Sequence, residues 1–126
     1  MATRRGPRRR LRREAEFDTV FRRGRRQGGV LFLVVALPNG RGYDRMGLAV
    51  SRRVGGAVAR NRARRLLRES FQRVGPAEDR GLDLVVVARP ALVGCRLAEV
   101  EREFRERLEE LRRAARPGRT RPAPAR

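Results

Sequence analysis

The chain has 126 residues, of which 33 are arginine, none lysine and 14 acidic, giving a formal charge of +19 with a hydrophobic fraction of 40%. That is one domain by length, with no run near the ~20 apolar residues of a membrane span and no apolar leader of the kind that directs export. One cysteine and no histidine exclude an internal disulfide, a Cys/His zinc finger and the Ser-His-Asp and Cys-His nucleophile sets, which leaves a cytoplasmic polyanion binder as the expectation.

Residues 1–10 show no apolar periodicity and are expected to form a disordered basic arm. Residues 11–23 are predicted helical, because Phe17, Val20 and Phe21 fall on one face, and Gly24 is placed to end the helix. Residues 30–37 form an apolar run of strand length, followed by a turn at Pro38-Asn39-Gly40. Residues 45–51 alternate as a second strand, and the two suggest an antiparallel hairpin, with a short edge strand near 27–29.

Residues 57–74 are predicted to form a long helix. Its inner stripe is Ala59, Ala63, Leu66, Leu67, Ser70 and Val74, and Arg60, Arg64 and Arg68 line another face. Residues 82–88 are predicted as a strand stopped by Arg89-Pro90. Residues 95–115 place Leu97, Val100, Phe104, Leu108, Leu111 and Ala115 on one helix face, and the alternating Glu/Arg face is read as solvated surface. The globular part is thus 11–115, and 116–126 is a Pro/Arg tail without the means to pack. The order of elements implies an α+β fold, a small mixed sheet with helices on one face and the other face open to a ligand.

The charge is clustered. Residues 1–26 carry +8, 52–74 carry +7 and 116–126 carry +4, whereas 27–51, 75–95 and 96–115 come to +1, −1 and zero. Clustering of this kind is the footprint of a phosphate-binding face. The densest stretch, 51–71, delivers Ser51, Arg52 and Arg53 to a turn at Gly55-Gly56. A helix then presents Arg60, Asn61, Arg62, Arg64, Arg65 and Arg68. A solvated basic helix is the plain alternative, but like charges at i, i+4 cost helix stability without an anionic partner. Asn61 is a poor helix former whose amide suits a phosphate, a 2′-hydroxyl or a base edge.

No constellation suited to catalysis or metal binding emerges. Glu99 to Glu110 sit on a charge-balanced helix face, and Glu78-Asp79 lie in a loop. Two-metal phosphodiester hydrolysis needs converging oxygen ligands, so the chain alone is not expected to be catalytic or to hold a metal. A ribosomal or general structured-RNA binder fits the charge equally. A DNA-binding protein fits less well, since nothing reads as helix-turn-helix and no dimer seam is evident.

The stretch VGGAVARNRARRLLRESF, with its Arg-Asn-Arg triplet, resembles the bacterial ribonuclease P protein family. So, in order, do Glu16-Phe17-Asp18 with Val20-Phe21-Arg22 and Gly24, Arg45 and Gly47 with Val50-Ser51-Arg52-Arg53-Val54-Gly55, and DLVVVARP at 83–90. The likeness covers about 11–111. It departs at Gly56, in the wholly aliphatic 30–37 strand apart from Phe32, and in the long tail.

The resemblance implies an α-β-β-β-α-β-α fold like domain 2 of ribosomal protein S5, with a left-handed βαβ crossover. It implies the protein subunit of an endonuclease whose RNA and magnesium ions remove the 5′ leader of precursor tRNA. The partners would be that catalytic RNA and precursor tRNA, with no membrane, the isolated protein monomeric and Mg2+ held mainly by RNA. Phe17, Phe21, Leu33, Val35 and Ser51 would line a leader cleft between the first helix and the sheet, with Phe32 and Val34 in the core. Arg52, Arg53, Arg60, Asn61, Arg64 and Arg68 would contact leader and RNA phosphates, and Arg62 and Arg65 the catalytic RNA.

Overall fold

A computed structural model describes residues 9–74 and 81–114. The elements are β1 (Arg9–Arg10), α1 (Glu14–Arg23), β2 (Arg25–Gly28), β3 (Phe32–Pro38), β4 (Arg45–Ala49), α2 (Ala57–Val74), β5 (Leu82–Ala88) and α3 (Leu97–Ala114). One five-stranded sheet runs in the order β1-β4-β5-β3-β2. The expected tail at 116–126, the Glu78-Asp79 loop and residues 1–8 of the expected arm lie outside the described residues.

Strand alternation sorts the core into two faces. Phe32, Val34 and Ala36 of β3 and Leu84, Val86 and Ala88 of β5 point to one face, where α2 and α3 cover them. Phe104 of α3 is fully buried there. Its ring centroid lies 5.6 Å from Phe32 and 6.2 Å from Phe71, joining helix to sheet and helix to helix. Val35 and Val85 point to the opposite face and pack under Leu11 and Val20, beside half-buried Phe17, Phe21, Leu33 and Val87.

The helices therefore do not share one face. α1 lies across the sheet from α2 and α3, because the second side of β3 and β5 is as apolar as the first and must also be covered. The expected β3–β4 hairpin is likewise absent. β5 lies between them, antiparallel to β3 from Phe32↔Ala88 to Pro38↔Leu82 and parallel to β4 from Arg45↔Asp83 to Ala49↔Val87. Four successive buried residues, Asp83 to Val86, suit a central strand, and β5 takes that place. α2 is then the crossover between the parallel strands β4 and β5.

The N-terminal boundary also differs from expectation. Arg9 and Arg10 pair in parallel with Arg45 and Met46, and the Leu11 amide donates to the Met46 carbonyl at 3.0 Å, so the end of the expected disordered arm is a strand. The first helix consequently starts at Glu14 rather than 11. Glu14 and Glu16 lie in the first turn and Arg22 and Arg23 in the last, as the helix dipole favours.

The Glu/Arg face of α3 is more than solvated surface. Glu103 accepts the Leu31 and Phe32 amides at 2.8 and 3.2 Å, and Arg107 donates to the Gly28 carbonyl at 3.3 Å. The β2–β3 turn is thus fastened to α3 by side chains that periodicity marks only as polar.

Candidate nucleic-acid interface

Two neighbouring surfaces gather the predicted residues. The first is the seam between α1 and the sheet, where a leader cleft is expected. Phe17 and Phe21 stand half-buried on its helical wall, with Leu33 and Val87 beside them. Val35 points the same way but is 0% exposed, so it forms the floor beneath α1 rather than an accessible lining. Phe32 and Val34 face the main core, as expected. At Gly47 of β4 the Phe17 ring lies against the strand, and a Cβ there would run into it. At the other end of α1, the Arg26 guanidinium lies 5.7 Å from the Phe21 ring centroid and donates to the Phe21 carbonyl at 3.0 Å.

A polar network supports the N-terminal end of α1. Arg45 grips Asp83 with two hydrogen bonds, Nε to Oδ1 at 2.8 Å and Nη2 to Oδ2 at 2.7 Å. Its remaining Nη1 reaches Glu16 Oε2 on α1 at 3.2 Å. Asn39 Nδ2 donates to Asp83 Oδ1 at 2.8 Å. Burial alone would push the Asp83 carboxyl up, but hydrogen bonds from Arg45 and Asn39 outweigh it and hold the group below the usual carboxylate range. Arg45 is raised, chiefly by its hydrogen bonding to Asp83.

The second surface is built by α2 and the β1–β4 edge. A groove of about 1030 Å³ is lined by Arg10, Arg12, Phe17, Leu48, Arg64 and Arg68, among others. Among the described residues none of Arg60, Arg64 and Arg68 has a carboxylate within ion-pair distance. Burial and then repulsion by Arg10 and Arg64 lower the Arg68 pKa, though not to where the guanidinium loses its proton. Arg60 carries a buried Nε with no hydrogen-bond partner among the described residues. Uncompensated cations converging from two segments, the β1 stretch and α2, fit a phosphate backbone. Arg10 and Arg12 escaped the sequence analysis because nothing local marked their segment as folded against α2.

The remaining predicted residues divide by role. Asn61 is exposed and its Oδ1 accepts from Arg64 Nη1 at 3.1 Å, so the amide orients an arginine as well as facing solvent. Arg65 is exposed. Arg62 does not join the others: its Nη2 donates to the Cys95 carbonyl at 2.9 Å, fastening α2 to the entry of α3. Arg62→Ala is accordingly expected to cost about 1 kcal/mol of stability, read as a lower urea midpoint, with less effect on RNA affinity than loss of Arg64. Arg52 and Arg53 are exposed on a turn in which the Val54 and Gly55 amides bond the Ser51 and Arg52 carbonyls, both at 3.1 Å. Gly55 adopts φ 146°, a value side-chain-bearing residues rarely take. Ser51 Oγ accepts the Arg53 amide at 3.2 Å, capping that turn.

The chain has counterparts among known proteins. The sequence pattern of the Ribonuclease P family matches residues 6–112. The chain belongs to the ribonuclease P protein family. It is 42% identical over 93 residues to the ribonuclease P protein component of Dehalococcoides mccartyi strain CBDB1, covering 74% of this chain and 76% of that one. Against the Brevibacillus brevis component it is 36% identical over 96 residues, covering 75% and 76%. The solved ribonuclease P protein from Thermotoga maritima superposes with a TM-score of 0.72 at 32% identity, covering 84% of this chain and 97% of that one. As a ribonuclease P protein component, the chain is the protein subunit of an endoribonuclease of tRNA 5′ maturation, partnered by the ribonuclease P RNA and not itself the catalyst.

Proposed function

We propose that the two surfaces serve two RNAs. The cationic groove and outer face of α2, with Arg60, Asn61, Arg64, Arg65 and Arg68, meet phosphates of the ribonuclease P RNA. The α1–sheet cleft, with Phe17, Phe21 and Leu33 over the Val35 floor, receives the single-stranded 5′ leader of precursor tRNA. Arg52, Arg53 and Ser51 lie on the turn that leads to α2 and extend the phosphate track. The observation that carries this reading is the convergence of Arg10, Arg12, Arg64 and Arg68 on one groove without a compensating acid among the described residues.

The chemistry then belongs to RNA. Among the described residues no group of three or more histidine, cysteine or carboxylate side chains converges to hold a metal ion. In this reading the catalytic Mg2+ is held mainly by the RNA partner. The protein's part is to neutralise repulsion between two polyanions and to hold the leader, which lowers the magnesium needed for productive docking. In the same proposal the isolated protein is monomeric and works in the cytoplasm. Among the described residues no helix is long and apolar enough to cross a membrane.

The test is cleavage of a leader-bearing precursor tRNA by a ribonuclease P RNA at low millimolar magnesium, with and without the protein. Stimulated cleavage at the mature 5′ end is expected. No stimulation by the folded protein with a cognate RNA would point to a general structured-RNA binder. Phe17→Ala is expected to cut the preference of the holoenzyme for precursor over mature tRNA about tenfold, because one base loses its stacking platform. An equal loss for both substrates would remove Phe17 from the cleft.

A further inference from the structure

Helix α1 carries the aromatic wall of the cleft, and an arginine from the sheet holds each of its ends. At the C-terminal end Arg26 of β2 donates to the Phe21 carbonyl. At the N-terminal end Arg45 of β4 pairs with Glu16, the residue preceding Phe17. Arg45 is the stronger of the two. It stands in register with Asp83 on the neighbouring strand, and both side chains are largely buried, at 15% and 11% exposure. The two-pronged grip on Asp83 fixes the plane of the guanidinium, leaving Nη1 aimed at the helix. Arg45 also shares a strand face with Gly47, two residues on, where the Phe17 ring meets the backbone. Helix-to-sheet spacing at Phe17 is thus set by a rigid contact at Gly47 and a charged tie one residue upstream.

We propose that Arg45, acting through Glu16, is a positioning residue for the leader: it sets how far α1 stands from the sheet, and so the width of the cleft in which Phe17 and Phe21 meet RNA. The inference rests on the leader-cleft reading above. Arg45 itself touches no RNA. It acts by keeping the aromatic wall where a base can stack, a placement to which binding and rate are steeply sensitive.

The experiment is a double-mutant cycle in the reconstituted holoenzyme. Binding of precursor and of mature tRNA is measured for wild type, Glu16→Ala, Arg45→Lys and the double variant. Arg45→Lys keeps a cation beside Asp83 but has no planar fork to serve two carboxylates. Each single variant is expected to lower the precursor-over-mature ratio about 5-fold, and the double variant no further, because the tie is already broken. KM for precursor should rise with kcat unchanged, and affinity for the ribonuclease P RNA should hold. Glu16→Gln keeps one oxygen, which can accept from Nη1 in place of Oε2 while the long 3.4 Å bond from the Arg13 amide to Oε1 is given up, so it should retain part of the ratio that Glu16→Ala loses. That variant also decides the matter against Glu16→Ala if Arg45→Lys does not fold.

An unchanged ratio, losses that multiply in the double variant, or an equal fall in ribonuclease P RNA affinity would overturn the proposal. Phe17→Ala runs alongside. If it lowers the ratio while the Glu16 and Arg45 variants do not, positioning fails and the cleft stands; if it too has no effect, the cleft reading fails first.

Discussion

Replacing Arg60, Arg64 and Arg68 together by alanine is expected to lower affinity for the ribonuclease P RNA by about 100-fold near 150 mM salt and to leave the fold intact. The three side chains lie along one face of α2 and find no acid among the described residues. In the isolated protein they repel one another at i, i+4, and alanine is the better helix former at all three positions. Burial already works against Arg68, and Arg60 keeps a buried Nε without a hydrogen-bond partner among the described residues. Free-protein stability should therefore hold or rise while RNA affinity falls. The salt dependence gives an independent reading: each lost phosphate contact removes about 0.7 to 0.9 from the slope of log K against log salt, so the slope should drop by about 2 to 3. A drop in affinity with an unchanged slope would mean that the arginines shape the helix rather than meet phosphates.

How much of this was legible in the sequence depends on the range of the forces involved. α2 and β5 begin and end where the apolar pattern and the Gly55 turn place them. Alternation divides β3 into Phe32 and Val34 against Leu33 and Val35, but which pair faces α2 and α3 is fixed by the tertiary packing and not by the strand's own sequence. Strand order is fixed in the same way. An apolar 82–88 run says that the strand is buried on both sides, but not that it parts two strands that are neighbours in sequence.

The same limit applies to the candidate site. The arginines of α2 are visible as a local charge excess, whereas Arg10 and Arg12 gain meaning only once β1 pairs with β4 beside α2. Arg62 reads as one more cation in the triplet until its carbonyl partner, 33 residues away, is in view. Asp83, Asn39 and Glu16 are unremarkable polar positions in a linear reading, and the tertiary fold brings them around Arg45.

That network carries the other large expected effect. Asp83 is 7% exposed and accepts three hydrogen bonds, two from Arg45 and one from Asn39. Asp83→Asn removes the negative charge and turns an N–H donor toward a guanidinium that has only donors. It leaves Arg45 with Glu16 alone as a carboxylate partner among the described residues. Breaking a largely buried pair from one side is expected to cost about 3 kcal/mol at pH 7. Because the folded Asp83 carboxyl lies below its unfolded value of about 3.9, its stabilisation is complete above that pH and is lost as pH falls toward the folded value. Arg45, raised in the folded state, adds stability that persists below its unfolded pKa and disappears only in strong alkali, so it does not move the acid limb. Urea midpoints at pH 7 and pH 3 should therefore fall further apart for the wild type than for Asp83→Asn. Other carboxylates and the rising net charge weaken both proteins in acid, but they do so alike, and the difference between the two isolates Asp83. Equal losses would mean that Arg45 does not depend on the Asp83 charge, and that its reach to Glu16 on α1 is kept without it.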